Sequence, residues 1–208
     1  KCRNGIIVRI PEAAHPQGLP PYRDDKKLHK AFQEQEKWNH MLGIRYMDDL
    51  NELIRNDEMK EIIQISEALH EKSIAGIADQ IVRTKKRIVL IAGPSSSGKT
   101  TFAHRLCTQL WVNGRKPIYL GTDDYYLERS QVPAGADGTK NFENLDSLDV
   151  ALFNTHMNAL LAGGPVDIPR FDFESGTKKF GERILQAKPD QPIVIEGIHG
   201  LNDELTRQ

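Results

Sequence analysis

Arg87-Ile88-Val89-Leu90-Ile91-Ala92-Gly93-Pro94-Ser95-Ser96-Ser97-Gly98-Lys99-Thr100-Thr101 is the stretch on which the fold turns. Residues 87–92 make a largely apolar run of strand character, and residues 98–113 read as a helix closed by Gly114. Between them stands GxxxxGK[ST], from Gly93 to Thr100, in the strand-to-helix context that this pattern requires. Gly93 and Gly98 let the backbone curl so that successive N–H groups converge on phosphate oxygens at a helix N-terminus, where the dipole also favours anions. Lys99 is placed to reach the β and γ phosphates, and Thr100 to offer its hydroxyl to Mg²⁺. The candidate phosphate-binding residues are therefore Gly93, Ser95, Ser96, Ser97, Gly98, Lys99, Thr100 and Thr101, and a triphosphate is the expected ligand. GTPases also carry this loop but need DxxG and an NKxD-type guanine motif; neither is found in this sequence, which moves the reading to ATP.

Downstream of Arg87 strands and helices alternate. Residues 117–120 read as a second strand, residues 148–161 as an amphipathic helix ended by Gly163-Gly164-Pro165, and residues 192–195 as a third, buried strand; residues 130–139, with Pro133, Gly135 and Gly138, read as a loop. The expectation is an α/β fold, a P-loop NTPase-type parallel sheet flanked by helices. Upstream, residues 5–10 look like one short strand and residues 16–21 like a Pro-rich linker. Leu28, Phe32, Trp38 and Leu42 then recur near a 3.6-residue period up to Gly43, a second short helix is expected over 47–54, and a long third one carries Ile62, Ile65, Leu69, Ile77 and Ile81 on one face. The expected division is an N-terminal strand, linker and helical extension over 1–84, and a P-loop domain over 85–208. Lys26-Lys27 and Lys85-Lys86-Arg87 read as solvated faces.

Thr122-Asp123-Asp124-Tyr125-Tyr126 follows the second strand directly, at the C-terminal end where open α/β sheets place their ligands. Transfer of a phosphoryl group to an alcohol needs a carboxylate that orients the hydroxyl and accepts its proton late. Asp123 is the candidate for that role, beside Lys99 as the other catalytic residue; Asp124 either serves the metal at one remove or caps a turn. The third strand ends in Glu196-Gly197, and a carboxylate at the tip of a buried strand beside a phosphate loop is a candidate to meet Mg²⁺ with Thr100. His199 follows in a Gly-flanked loop, either near phosphate or as an ordinary loop histidine.

Composition narrows the class further. Over 208 residues, 28 Lys+Arg against 29 Asp+Glu leave a formal net charge of −1, which argues against a surface wholly committed to nucleic acid or anionic lipid. Cys2 and Cys107 cannot make a disulfide framework, so a reducing, cytoplasmic setting is the simplest reading. No run of 18 apolar residues and no signal-peptide pattern is seen. The chain opens at Lys1 without Met, which reads as a fragment of something longer.

The Ser-rich loop, Asp123-Asp124-Tyr125-Tyr126, Asn141-Phe142-Glu143-Asn144, Pro169-Arg170-Phe171-Asp172-Phe173 and Ile195-Glu196-Gly197-Ile198 occur in an order that resembles the uridine kinase and phosphoribulokinase family, over about residues 87–202. Residues 5–84, with Leu19-Pro20-Pro21 and Glu67-Ala68-Leu69-His70-Glu71-Lys72, are similar to the linker and helical region of longer uridine-kinase-like proteins, in which domains resembling the editing region of threonyl-tRNA synthetase come first. The resemblance implies ATP- and Mg²⁺-dependent phosphorylation of a nucleoside-like or sugar-like hydroxyl. Asp123 would be the base, Glu196 would lie near the metal, and Asp124, Tyr125, Glu143 and Phe171 would surround the acceptor. Where the family has an Asp for the ribose hydroxyls this chain has Glu143, and where it has a Tyr and a His for the pyrimidine this chain has Phe171 and Gly176. Losing those partners predicts blunted uridine specificity. The family's lid arginines and adenine-contacting segment would follow the third strand beyond Gln208, so weak or no turnover is expected of this stretch alone.

Two rivals stand beside the kinase. One is an ATP-binding regulatory or RNA-associated module without small-molecule turnover. The other is a nucleoside monophosphate kinase, whose acceptor phosphate would have to be held by Arg170, Arg183 or Arg207. The expected partner is a small-molecule acceptor, nucleoside or sugar, with no membrane, no nucleic acid for this stretch, and homo-oligomerisation left open.

Overall fold

The computed structural model describes residues 8–11, 16–19, 26–135 and 138–206, in two compact units, Lys1–Glu67 and Ala68–Gln208. The division falls inside a helix, upstream of the change in pattern at Lys85. In the first unit α1 (Lys26–Met41) is closed by Gly43 in the left-handed conformation, φ 72°. The short helix α2 (Met47–Arg55) begins where the Asp49 carboxylate accepts the amide N–H groups of Arg45 (2.7 Å) and Tyr46 (2.8 Å), which holds that carboxyl below its ordinary range. Of the expected first strand, residues 5–7 lie outside the described residues and Val8, Arg9 and Ile10 are not in a strand. Pro20, Pro21 and Cys2 also lie outside them. The helical spacing of α1 does not translate into burial: Phe32 and Met41 are exposed.

The long helix α3 (Met59–Thr84) starts in the first unit and continues into the second. There follow β1 (Ile88–Ile91), α4 (Lys99–Val112), β2 (Ile118–Gly121), α5 (Val150–Leu161), β3 (Pro165–Asp167), β4 (Arg170–Asp172), β5 (Thr177–Lys179), β6 (Ile184–Gln186) and β7 (Ile193–Glu196). The three apolar strands pair in the order β1-β7-β2, all parallel, with Ile91 and Gly121 flanking Glu196 in register. This is an α/β fold, a parallel sheet flanked by helices. The central strand β7 is buried along its whole length, as a strand covered on both faces must be.

Side-chain alternation along β7 builds two cores. Ile193 and Ile195 join Ile118, Leu120, Phe153, Met157 and Leu160 on the α5 side, whereas Val194 joins Ile91, Ala103, Leu106 and Leu110 on the α4 side. Ile74, Ala78 and Ile81 of α3 belong to the second cluster. Each large apolar side chain so buried stabilises by about 1.5–3 kcal/mol.

Two expectations are corrected here. The stripe of α3 that is buried is Ile74-Ala78-Ile81; Ile65 and Ile77 of the expected face are exposed. Helical period alone leaves the stripe's angle open by one position, and packing against α4 selects it. Residues 165–186 hold two antiparallel ribbons, β3 with β6 and β4 with β5, that the sequence reading lacked. Strands of three residues with Asp, Lys and Pro among them carry no alternation long enough to detect. No helix among the described residues is long and apolar enough to cross a membrane.

Candidate active site

The phosphate loop takes its shape from two left-handed residues. Ser96 has φ 58° and Gly98, the N-cap of α4, φ 84°. A Cβ on Gly93 would stand 2.9 Å from Ser97 Oγ and 3.3 Å from Lys99 Cγ, so a larger residue there would displace those two side chains of the loop. Ser95, Ser96, Ser97 and Gly98 are exposed, with Thr100 and Thr101 opening the first turn of α4. Lys99 folds back across the loop and its Nζ donates to Pro94 O at 2.9 Å. The loop is thus open to solvent, with an ammonium laid over it and the N-terminus of a 14-residue helix beneath.

Beside the loop, β7 delivers Glu196, which is 6% exposed. The Thr100 hydroxyl donates to its Oε1 at 2.9 Å, and the Tyr119 hydroxyl donates to the same oxygen at 3.1 Å. Asp123, in the 3-10 turn Thr122–Tyr125 that leaves β2, feels both Glu196 and Lys99. The residue is exposed, yet the protein packed around its carboxyl raises its pKa first, the charges of Glu196 and Asp124 raise it further, and Lys99 pulls the other way. The chain closes tightly at this point: a Cβ on Gly197 would lie 1.8 Å from Thr122 Oγ1, a buried hydroxyl that has no hydrogen-bond partner among the described residues. His199 likewise buries its Nε2 without one.

On the acceptor side the structure corrects the reading of Tyr125. The 3-10 turn sends this side chain into the core, where its ring meets Phe153 edge-on at 5.2 Å and its hydroxyl bonds His156 Nδ1 at 3.1 Å. Its neighbour Tyr126 is the one that reaches outward, close enough to Asp123 and Glu143 for their charges to raise its pKa along with partial burial. Tyr126, Phe171 and Phe173 form an aromatic trio with centroids 5.0–5.9 Å apart. Asp124 is taken up structurally: it accepts the Phe171 amide and faces Arg183 Nη1 at 3.4 Å, tying the end of β2 to β4, while burial raises its pKa. Glu143 is exposed, its amide held by Asn141 Oδ1 at 2.9 Å. Arg170 faces Glu182 at 3.6 Å, and Arg207 lies outside the described residues.

Gly176, with φ 70°, ends up under another side chain. A Cβ there would meet Arg129 Cγ and Cδ at 2.5 Å, and the guanidinium passes on to donate to Phe173 O at 2.6 Å. Sequence reasoning missed Tyr119, Tyr126 and Arg129. For Tyr119 a signal existed, since a phenol in the middle of a buried strand needs a partner for its hydroxyl.

A family model described as the phosphoribulokinase / uridine kinase family matches residues 88–208. The uridine kinase of Deinococcus deserti is 33% identical over 121 residues, 58% of this chain and 56% of that protein. The uridine kinase of Lactobacillus helveticus is 32% identical over 120 residues, again 58% and 56%. The chain therefore spans about half the length of the curated relatives it matches. Among solved structures, a Bacillus stearothermophilus protein described as a possible uridine kinase is similar with a TM-score of 0.47 and 25% identity, covering 58% of this chain and 68% of that one.

Proposed function

The chain belongs to the phosphoribulokinase / uridine kinase family, and from that premise we propose that the protein transfers the γ-phosphoryl group of ATP to a hydroxyl of a small nucleoside-like or sugar-like acceptor. The observation that supports this most is the gathering, at the C-terminal ends of β1, β7 and β2, of the exposed phosphate loop, the Thr100–Glu196 pair at 2.9 Å and the Asp123 carboxyl. Backbone N–H groups at the start of α4 and the Lys99 ammonium would hold the triphosphate tail. Asp123 would orient the acceptor hydroxyl and take its proton, a role suited to a carboxyl whose pKa is raised.

The donor set fits Mg²⁺: a hydroxyl and a carboxylate, both hard oxygen ligands, stand next to the phosphate loop. No group of three or more His, Cys, Asp or Glu side chains suited to a metal gathers among the described residues, and Mg²⁺ needs none, since it takes its other ligands from water and phosphate oxygens. Thr100 and Glu196 would hold it, directly or through water. Bound there, it would neutralise charge on the phosphate oxygens.

The acceptor would lie between Asp123, Glu143 and the Tyr126-Phe171-Phe173 wall. Because a side chain at 176 and the stem of Arg129 exclude one another, the far edge of this wall offers a guanidinium in place of anything on residue 176, which favours an acceptor other than uridine. The test is a screen of the protein against nucleosides and sugars, reading ADP release. Acceptor-dependent release that Asp123→Asn abolishes, with ATP affinity retained and lost only in Lys99→Ala, is the expected result. Tight ATP binding with no acceptor-dependent release would replace the kinase by a nucleotide-binding regulatory module.

A further inference from the structure

Two hydroxyls converge on one oxygen of Glu196. Thr100, from the first turn of α4, and Tyr119, from β2, both donate to Oε1, whereas Oε2 accepts none of the hydrogen bonds found among the described residues. A carboxylate held by one donor can swivel about its last bond; held by two on the same oxygen, it presents the other oxygen in one direction. Gly121 pairs with Glu196 in the sheet and lies two residues along β2 from Tyr119, on the same face. The Tyr119 hydroxyl and Glu196 Oε1 both lie over Gly121: a Cβ there would make ordinary van der Waals contact with them, at 3.8 and 4.0 Å. His104 flanks the ring with centroids 4.5 Å apart. It lies one helical turn beyond Thr100, so a single face of α4 supplies both one donor to Glu196 and the wall that steadies the other.

We infer that Tyr119 is a positioning residue for the metal side of the site: by occupying Oε1 jointly with Thr100 it aims Glu196 Oε2 at the cation that accompanies the nucleotide. This rests on the proposed role of Glu196. Tyr119 touches neither the phosphate loop nor the acceptor wall in any hydrogen bond found among the described residues, so its effect passes through Glu196 and is specific to the metal-dependent part of binding.

The experiment uses the whole chain, a fluorescent ADP analogue as probe and Mg²⁺ as titrant, with Tyr119→Phe and Glu196→Gln beside the parent. Removing a group that orients a metal-side ligand costs about 10–100-fold in metal affinity. In Tyr119→Phe the Mg²⁺ concentration for half-maximal enhancement of probe binding should therefore rise about tenfold or more, while probe affinity without Mg²⁺ and the melting temperature stay at parental values. Glu196→Gln should show the same displacement. If Glu196→Gln shifts the Mg²⁺ dependence and Tyr119→Phe does not, the inference about Tyr119 is wrong and the role of Glu196 stands. If neither shifts it, the metal role of Glu196 fails and takes Tyr119 with it. An equal loss of probe affinity in the absence of Mg²⁺ would make Tyr119 merely structural. Should Tyr119→Phe fold poorly, His104→Ala, which removes only the wall, must produce a smaller shift of the same sign, and its absence would overturn the inference.

Discussion

Asp123 carries an electrostatic burden that its role in proton transfer would justify. Although Asp123 is exposed, the protein around its carboxyl, Glu196 and Asp124 all disfavour its anion, and Lys99 acts the other way. The raised pKa belongs to the folded state, so the cost of ionising Asp123 is fully present above that value and is shed as the pH falls through it. Asp123→Asn is accordingly expected to melt at a higher temperature than the parent at about pH 8, with the difference closing as the pH falls through the titration of the parental carboxyl. A melting temperature in Asp123→Asn that equals or falls below the parent's across that range would count against the assignment of strain to this carboxyl. The same scale shows where reading residues in order misleads. Tyr125 and Tyr126 are adjacent and chemically alike, yet one is sealed against Phe153 and His156 and the other faces Asp123 and Glu143. Nothing in the pair itself distinguishes them; the direction of the 3-10 turn does.

Among the elements, the β4–β5 hairpin carries Phe171 of the aromatic trio proposed as the acceptor wall, and its turn is built around Gly176. Its φ of 70° is costly for any residue with a Cβ, and the Arg129 stem fills the space that a Cβ would need. Gly176→Ala should lower unfolding stability by about 1–2 kcal/mol and raise the acceptor KM while leaving the ATP KM unchanged. Adding Arg129→Ala should restore part of the stability, because the clash goes while the φ penalty remains; a double variant no more stable than Gly176→Ala would show that the two do not compete. Helix α3 teaches a related lesson. Its periodicity was legible, but which stripe is buried was not, because Ile74, Ala78 and Ile81 are chosen by their fit to Ala103, Leu106 and Leu110 on α4. Similarly, β1, β2 and β7 announce themselves as apolar runs, whereas β3 to β6 are too short and too polar to do so.

For the molecule as a whole, the boundary that matters for folding lies upstream of the change in sequence pattern. The second half of α3 is part of the α/β core, so a chain of residues 68–208 should unfold in one cooperative transition, measured by urea titration. A chain of residues 85–208 should be less stable by several kcal/mol, since the burial of Ile74 and Ile81 alone stabilises by about 1.5–3 kcal/mol each. Equal midpoints for the two would show α3 to be dispensable. The sequence by itself determined the phosphate loop and the parallel-sheet pattern, because glycine at a left-handed turn, an apolar strand before it and a helix after it are instructions between chain neighbours. Only the tertiary structure decided that Thr100 and Tyr119 share one oxygen of Glu196, that Tyr126 and not Tyr125 faces the cleft, and that Arg129 lies over Gly176. Those pairings join residues 31 to 96 positions apart, and they follow from strand register and helix packing, which no local stretch of chain encodes.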